Sequence, residues 1–298
     1  MDLLSSFRNL IAMRNLAAAV RTQARALGAT MIGFAPADRW ENFSEVPAAY
    51  RPRAIWKHTE TVIVLGVPML LPIIESTPSI NYQEMYTTSN ILLDQIAFRL
   101  SVELNARGFA SIPMPRDGYG SLEILLKKMP ACFSHVYAGK YAGLGTIGYS
   151  HNLLTPEYGP RVRLVSLFTK AKLPASPMLT KEQCKRCGFC GKLCPVQAFK
   201  PHPERIAAEY DAQACTHYHQ DLVAESRFPC GACVKVCPVG KDRKLYARTR
   251  VKDYLTERNA IAADPLHPDY RHLTHLRTHG SETKEDESRR IVEQEAKY

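Results

Sequence analysis

The chain has 298 residues, 45% of them hydrophobic, and a formal net charge of +10 at pH 7. That hydrophobic fraction suits a folded core and excludes an intrinsically disordered chain. No apolar stretch approaches the roughly 20 residues of a membrane-spanning helix, and the opening Met1-Asp-Leu-Leu-Ser-Ser-Phe-Arg8 lacks the basic and apolar regions of a secretory signal, so a cytoplasmic protein without membrane association is expected.

In chain order, residues 3–27 predict a helix, with Leu3, Leu4, Phe7, Leu10 and Ile11 at helical spacing and Gly28 at its end. Residues 30–34 predict a strand, and the β-branched run 61–65 a buried central one. Residues 90–107 predict a helix capped by Asn90, carrying a stripe of Leu92, Ile96, Leu100 and Leu104 and ended by Gly108. A strand over 109–113, a short helix over 122–128 closed by Pro130, and a strand over 161–169 with Val162, Leu164 and Leu167 on apolar faces complete a layered α+β arrangement. Residues 171–183 read as a linker, and those after 242 as helical, polar and, from Ser281, dense in charge. Three units are expected: 1–175, 176–242 and 243–298.

Eight of the nine cysteines lie between residues 184 and 237. The first run is Cys184-x2-Cys187-x2-Cys190-x3-Cys194-Pro195, and the second is Cys215-x14-Cys230-x2-Cys233-x3-Cys237-Pro238. A [4Fe–4S] cube needs four converging thiolates. A tight three-cysteine loop supplies three, and in two-cluster ferredoxins the fourth cysteine of each run serves the other cluster. The expected sets are Cys184, Cys187, Cys190 and Cys237 for one cluster, and Cys194, Cys215, Cys230 and Cys233 for the other. Zinc favours isolated Cys-x2-Cys pairs, and disulfides favour small secreted domains. Cys132, in Pro130-Ala-Cys-Phe133, reads as a buried small hydrophobe.

The basic balance suits nucleic acid, an acidic electron carrier or simply a soluble surface, and short basic runs at Lys241-Asp-Arg-Lys244 and Arg248-Thr-Arg-Val-Lys252 follow the second cysteine run. Gly143-Leu-Gly145-Thr-Ile-Gly148 matches a dinucleotide fingerprint by its letters, yet no clear strand precedes it and no acidic residue stands about twenty positions on. Its glycines require the backbone to approach a cofactor or another chain segment closely.

The stretch Tyr141-Ala-Gly-Leu-Gly-Thr-Ile-Gly148, then Asn152-Leu-Leu-Thr-Pro-Glu-Tyr-Gly-Pro160, the strand after it and the double cysteine run resemble the epoxyqueuosine reductases and the related reductive dehalogenases. The resemblance implies a nitroreductase-like α/β core holding a corrinoid (cobalamin), followed by a ferredoxin-like two-cluster module, with electrons from a low-potential carrier of ferredoxin or flavodoxin type. By the same resemblance Gly143, Gly145, Gly148, Asn152 and Gly159 lie against the corrinoid. The catalytic aspartate of the epoxyqueuosine reductases falls at Met129, which has no proton to donate, so Asp117, His135 and Tyr137 are the candidate proton donors. Residues 238–298 are too few for the helical-repeat array that grips tRNA in that family. The expected activity is reduction of a small electrophile, with epoxyqueuosine reduction on tRNA and non-catalytic electron transfer as the alternatives.

Overall fold

The computed structural model describes residues 3–128 and 131–280, with side chains from Phe7 onward. Strands β1 (Met31–Pro36), β2 (Thr61–Pro68), β3 (Ser111–Met114) and β4 (Val162–Thr169) form an antiparallel sheet in the order β1-β2-β4-β3. β2 is buried from Thr61 to Val67, as expected of a central strand with β-branched side chains on both faces. Its register sets Ile63 opposite Phe34 on one side and Leu167 on the other.

Strand alternation divides the core in two. Ile63, Leu65, Val165 and Leu167 face helices α1 (Leu3–Ala26) and α2 (Ile80–Ala106), whose Val20, Ile96 and Leu100 close that layer. Val62, Val64, Leu164 and Phe168 face the opposite side, under Trp40, Phe133 and helix α3 (His135–Tyr141).

Helix α2 begins ten residues earlier than its apolar stripe predicts. Ser79 is its cap, accepting from the Tyr82 amide, and Asn90 is a buried interior residue whose Oδ1 accepts from Arg163 Nε at 2.8 Å. The early turns carry Asn, Tyr, Thr and Ser, which are weak helix formers. Burial of Tyr82 against Met69 and Ile74 supplies what propensity does not.

The segment 171–183 is pinned rather than loose. The Ser176 amide donates to Phe34 O at 2.8 Å, and Ser176 Oγ accepts from the Phe34 amide at 2.9 Å, covering the open edge of β1. The cysteine runs follow, with helix α4 (Ala212–Ala224) between them. Beyond residue 242 the chain is helical. Helices α5 (Asp253–Ala263) and α6 (Arg271–Arg277) pack back on the molecule. Lys235 Nζ sits 2.6 Å from Glu257 Oε1 and donates to Glu75 O at 2.7 Å, while Arg277 reaches Glu257 at 2.8 Å. These are intramolecular pairings of widely separated charges, which a local reading of polarity does not foresee. The charged stretch from Ser281 lies outside the described residues.

Candidate functional site

The two cysteine runs share a local geometry. Cys187-Gly188-Phe-Cys190 and Cys230-Gly231-Ala-Cys233 each place a glycine of positive φ, 72° and 65°, directly before one helical turn, Phe189–Lys192 or Ala232–Lys235. That left-handed residue reverses the chain between two thiols, which a Cβ would resist. The two turns pack against each other.

Burial raises the Cys190, Cys230 and Cys233 thiols to about 12 and Cys237 to about 11. The neighbouring sulfurs that add to these shifts map the thiols onto two groups. Cys230 feels Cys233, Cys215 and Cys194, and Cys233 feels Cys215 and Cys194. Cys190 feels Cys237 and Cys187, and Cys237 feels Cys184. Cys233 also acts on Cys190 and is acted on by Cys237, so it stands where the groups meet. Crowded, desolvated thiols of this kind ionise only against a cationic partner, so the donor set fits iron–sulfur cubes. Among the described residues, no group of three or more His, Cys, Asp or Glu side chains closes tightly enough on one point for a single metal ion.

Several groups fix these thiols. Asn152 Nδ2 lies 3.6 Å from Cys233 Sγ, and the Ala198 amide donates to Cys194 Sγ at 3.3 Å. Arg161, fully buried, donates to Asp242 at 2.6 and 2.7 Å, to Cys237 O at 3.2 Å and to Val239 O at 2.5 Å. It ties the start of β4 to the loop after the second run. Cys132, expected to be buried, is exposed, and its amide donates to Gly118 O at 3.1 Å.

A cavity of about 330 Å³ adjoins this module, lined by Arg116, Tyr119, Phe133, His135, Asn152 and Arg163 among others. Asp117 Oδ1 accepts from Arg163 at 3.1 Å and from the Tyr86 hydroxyl at 3.3 Å, and Oδ2 lies 3.6 Å from Arg116 Nε. The Arg163 guanidinium also covers the Tyr86 ring at 4.2 Å. The Tyr119 phenol is pushed up by burial, then by Tyr86 and Asp117, and hydrogen-bonds Tyr86. These phenols therefore keep their protons.

The three predicted proton donors separate here. Asp117 and His135 belong to the cavity region, although Asp117 acts as an ion-paired acceptor. His135 Nε2 faces Pro115 O at 3.0 Å, so it carries hydrogen there, and Nδ1 then accepts from Ser166 Oγ at 2.9 Å. Burial lowers this imidazole to about 4, outweighing the Pro115 hydrogen bond. Both its nitrogens are occupied, and the ring is a neutral wall. Tyr137 is directed away from the cavity, packed near Tyr141, with its phenol raised by burial and by Glu45. Tyr86, Tyr119, Arg116 and Arg163 were not found from sequence. The signals were Tyr119 two residues after Asp117, and an arginine inside an otherwise apolar strand. Met129 lies outside the described residues.

The glycine turn is filled by protein. A Cβ on Gly143 would stand 2.0 Å from Pro177 O, on Gly145 2.4 Å from Leu154 O, on Gly148 2.7 Å from Leu154 Cδ1, and on Gly159 2.0 Å from Val239 O. The close approach needed at these glycines is thus to other chain segments. The turn follows α3 and enters the two-residue strand Thr146–Ile147, not the strand–turn–helix of a dinucleotide site. Asn152 alone of the five residues matched to the corrinoid borders the cavity. The cavity does have features suited to an amide-fringed ring: apolar walls from Phe133, Val136, Leu153 and Leu164, and the buried Arg116 Nε, which lacks a hydrogen-bond partner. Its volume is at the lower end of drug-sized sites. A second cavity, of about 880 Å³, starts at Cys194 and Cys230 and runs out to Arg258 and Ile261 on α5.

Residues 183–241 match the 4Fe-4S dicluster domain family. The chain is 24% identical over 217 residues to a tetrachloroethene reductive dehalogenase of Desulfitobacterium hafniense, covering 68% of this chain and 35% of that protein. It is 30% identical over 158 residues to an epoxyqueuosine reductase of Pseudomonas aeruginosa, covering 49% and 38%. Among solved structures it resembles the catabolic reductive dehalogenase NpRdhA, with a TM-score of 0.59 at 19% identity, over 81% of this chain and 36% of that one. It also resembles an epoxyqueuosine reductase bound to a tRNA-Tyr stem loop, with a TM-score of 0.54 at 16% identity, over 77% and 66%. The chain spans about a third of the length of the reductive dehalogenases it matches. No described helix is long and apolar enough to cross a membrane.

Proposed function

We propose that this chain, an iron–sulfur protein related to the reductive dehalogenases and epoxyqueuosine reductases, is a corrinoid-dependent reductase of a small electrophilic substrate. It would carry one [4Fe–4S] cluster on Cys184, Cys187, Cys190 and Cys237 and a second on Cys194, Cys215, Cys230 and Cys233. Residues 1–175 would form a nitroreductase-like core, 176–242 the cluster module and 243–298 an extension, in which Glu257 and Arg277 brace on both. The observation that carries the reading is the grouping of eight thiols into two neighbourhoods, with Asn152 touching Cys233 on one side and the 330 Å³ cavity on the other.

A bound corrinoid supplies a strongly reducing centre, and the clusters supply single electrons. The chain's own residues handle protons and charge. Tyr119 presents a protonated phenol to the cavity, and Tyr86 connects it to Asp117. Asp117 accepts from Tyr86 and is held in place by Arg163 and Arg116. Arg116 is ion-paired with Asp117 and Asp94, which fixes its charge at the cavity wall. His135, Phe133 and Leu164 exclude water from the inner wall.

Anoxic purification with iron, sulfide and cobalt analysis tests this. We expect about eight irons and eight sulfides per chain and, after incubation with cobalamin, cobalt that survives gel filtration and gives a cobalt spectral signal. Zinc or no metal at the thiols would refute the cluster reading. Clusters without retained cobalt would refute the corrinoid reading alone.

A further inference from the structure

We infer that the surface around Cys187 is the docking face of an acidic one-electron carrier protein, which reduces the Cys184, Cys187, Cys190 and Cys237 set first; this rests on the cluster reading above. Two independent features meet there. The first is a gradient of burial. The two sets differ in one thiol each: Cys187 is exposed and Cys230 is buried, while the other six are partly exposed. Electron transfer weakens steeply with distance, so a protein-sized carrier is effective only where a cluster approaches the surface.

The second feature is charge. Lys181, Lys185, Arg186 and Lys192 are exposed and lie close to that thiol in the chain. The acid among residues 181–192 is Glu182, which pairs with Arg186 at 3.5 Å. Lys181, Lys185 and Lys192 have no ion-pair partner among the described residues. Arg258 adds a fifth cation, donating to Lys192 O at 3.2 Å. The basic runs after the second cysteine motif differ. There Lys241 pairs with Glu157 at 2.6 Å and Arg250 with Asp253 at 2.9 Å, so part of their charge is already neutralised. A patch of one sign beside an exposed redox group steers an oppositely charged partner and accelerates its encounter. The transfer is one electron: the carrier is oxidised by one, the cluster is reduced by one, and no atom moves.

The test compares the wild type with Lys181→Glu/Lys185→Glu/Lys192→Glu, and with the corresponding triple arginine variant. Both triple variants are first matched to wild type in iron and sulfide content. Stopped-flow reduction by a reduced acidic two-iron ferredoxin should fall at least about tenfold in the glutamate variant at low salt, with the arginine variant near wild type. The wild-type rate should drop as salt rises. Reduction by methyl viologen radical, a small cation, should be unchanged or faster. Equal ferredoxin rates in wild type and glutamate variant would overturn the inference, as would an equal loss with viologen, which would locate the defect in the cluster. Loss of tRNA binding with carrier reduction untouched would assign the face to nucleic acid instead. Wild-type protein without iron and sulfide would refute the underlying cluster reading, a result distinct from these.

Discussion

Replacing Arg161 with methionine should detach the cluster module from the sheet. Arg161 is fully buried, forms a two-point pair with Asp242 and donates to two backbone carbonyls, Cys237 O and Val239 O. Methionine keeps much of the apolar stem and removes every donor. Asp242, 8% exposed, is then left buried and unpaired, a loss of about 3–5 kcal/mol. Val239 O, at about 1–3 kcal/mol when unsatisfied, pushes the value towards the top of that range, whereas Cys237 O keeps the Arg243 Nε donor at 2.5 Å. This is a large share of the roughly 5–15 kcal/mol that holds a typical domain together. Urea unfolding of anoxically reconstituted protein, followed by circular dichroism alongside iron release, measures it. The double variant Arg161→Met/Asp242→Leu should recover about 2 kcal/mol, since removing both charges ends the desolvation penalty, while Val239 O stays unpaired. A single-variant loss below about 1 kcal/mol, or a double variant as weak as the sum of two singles, would refute the reasoning.

Asn152→Leu should lower the midpoint potential of one cluster by about 20–40 mV. This converts a sulfur-directed hydrogen bond of about 0.5–1 kcal/mol at 59 mV per tenfold. An EPR-monitored titration in which both clusters move together, or neither moves, contradicts the contact. His135 is lowered to about 4 in the folded protein against about 6.5 unfolded. The unfolded chain therefore takes up a proton first as pH falls, so His135 should cost up to about 3 kcal/mol of stability between about pH 6.5 and 4. His135→Gln should flatten that part of the stability profile, and an unchanged slope would exclude His135 as its source. Gly159→Ala, with φ 54° and a Cβ 2.0 Å from Val239 O, should abolish cluster retention. Gly188→Ala, with φ 72° and open space around it, should cost only about 1–2 kcal/mol. Similar iron retention in the two alanine variants would argue against the close approach at Gly159.

The cysteine ligand candidates were legible because cluster chemistry demands a short, characteristic spacing that few other structures share. β2 was legible for a similar reason, since a β-branched run buried on both faces has a local signature. The helix over Ile80–Ala106 was only half legible. Its first ten residues depend on Tyr82 and its neighbours meeting a buried surface, which is a tertiary event. Asp117 was noticed, but its partners Tyr86 and Arg163 come from a helix and a strand 31 and 46 residues away.

The sequence by itself determined the density and order of thiols, the central strand and the glycines where the backbone must reverse or approach closely. Tertiary structure alone decided what those glycines approach: Pro177, Leu154 and Val239 rather than open space. It also decided that Tyr137 turns away from the cavity, that His135 is a neutral wall, and that Arg161 and Glu257 are buried in paired networks. Spacing along the chain encodes ligands held by one tight loop. Contacts between distant segments depend on which surfaces fold together, and a buried charge is stable only where that folding delivers its partner.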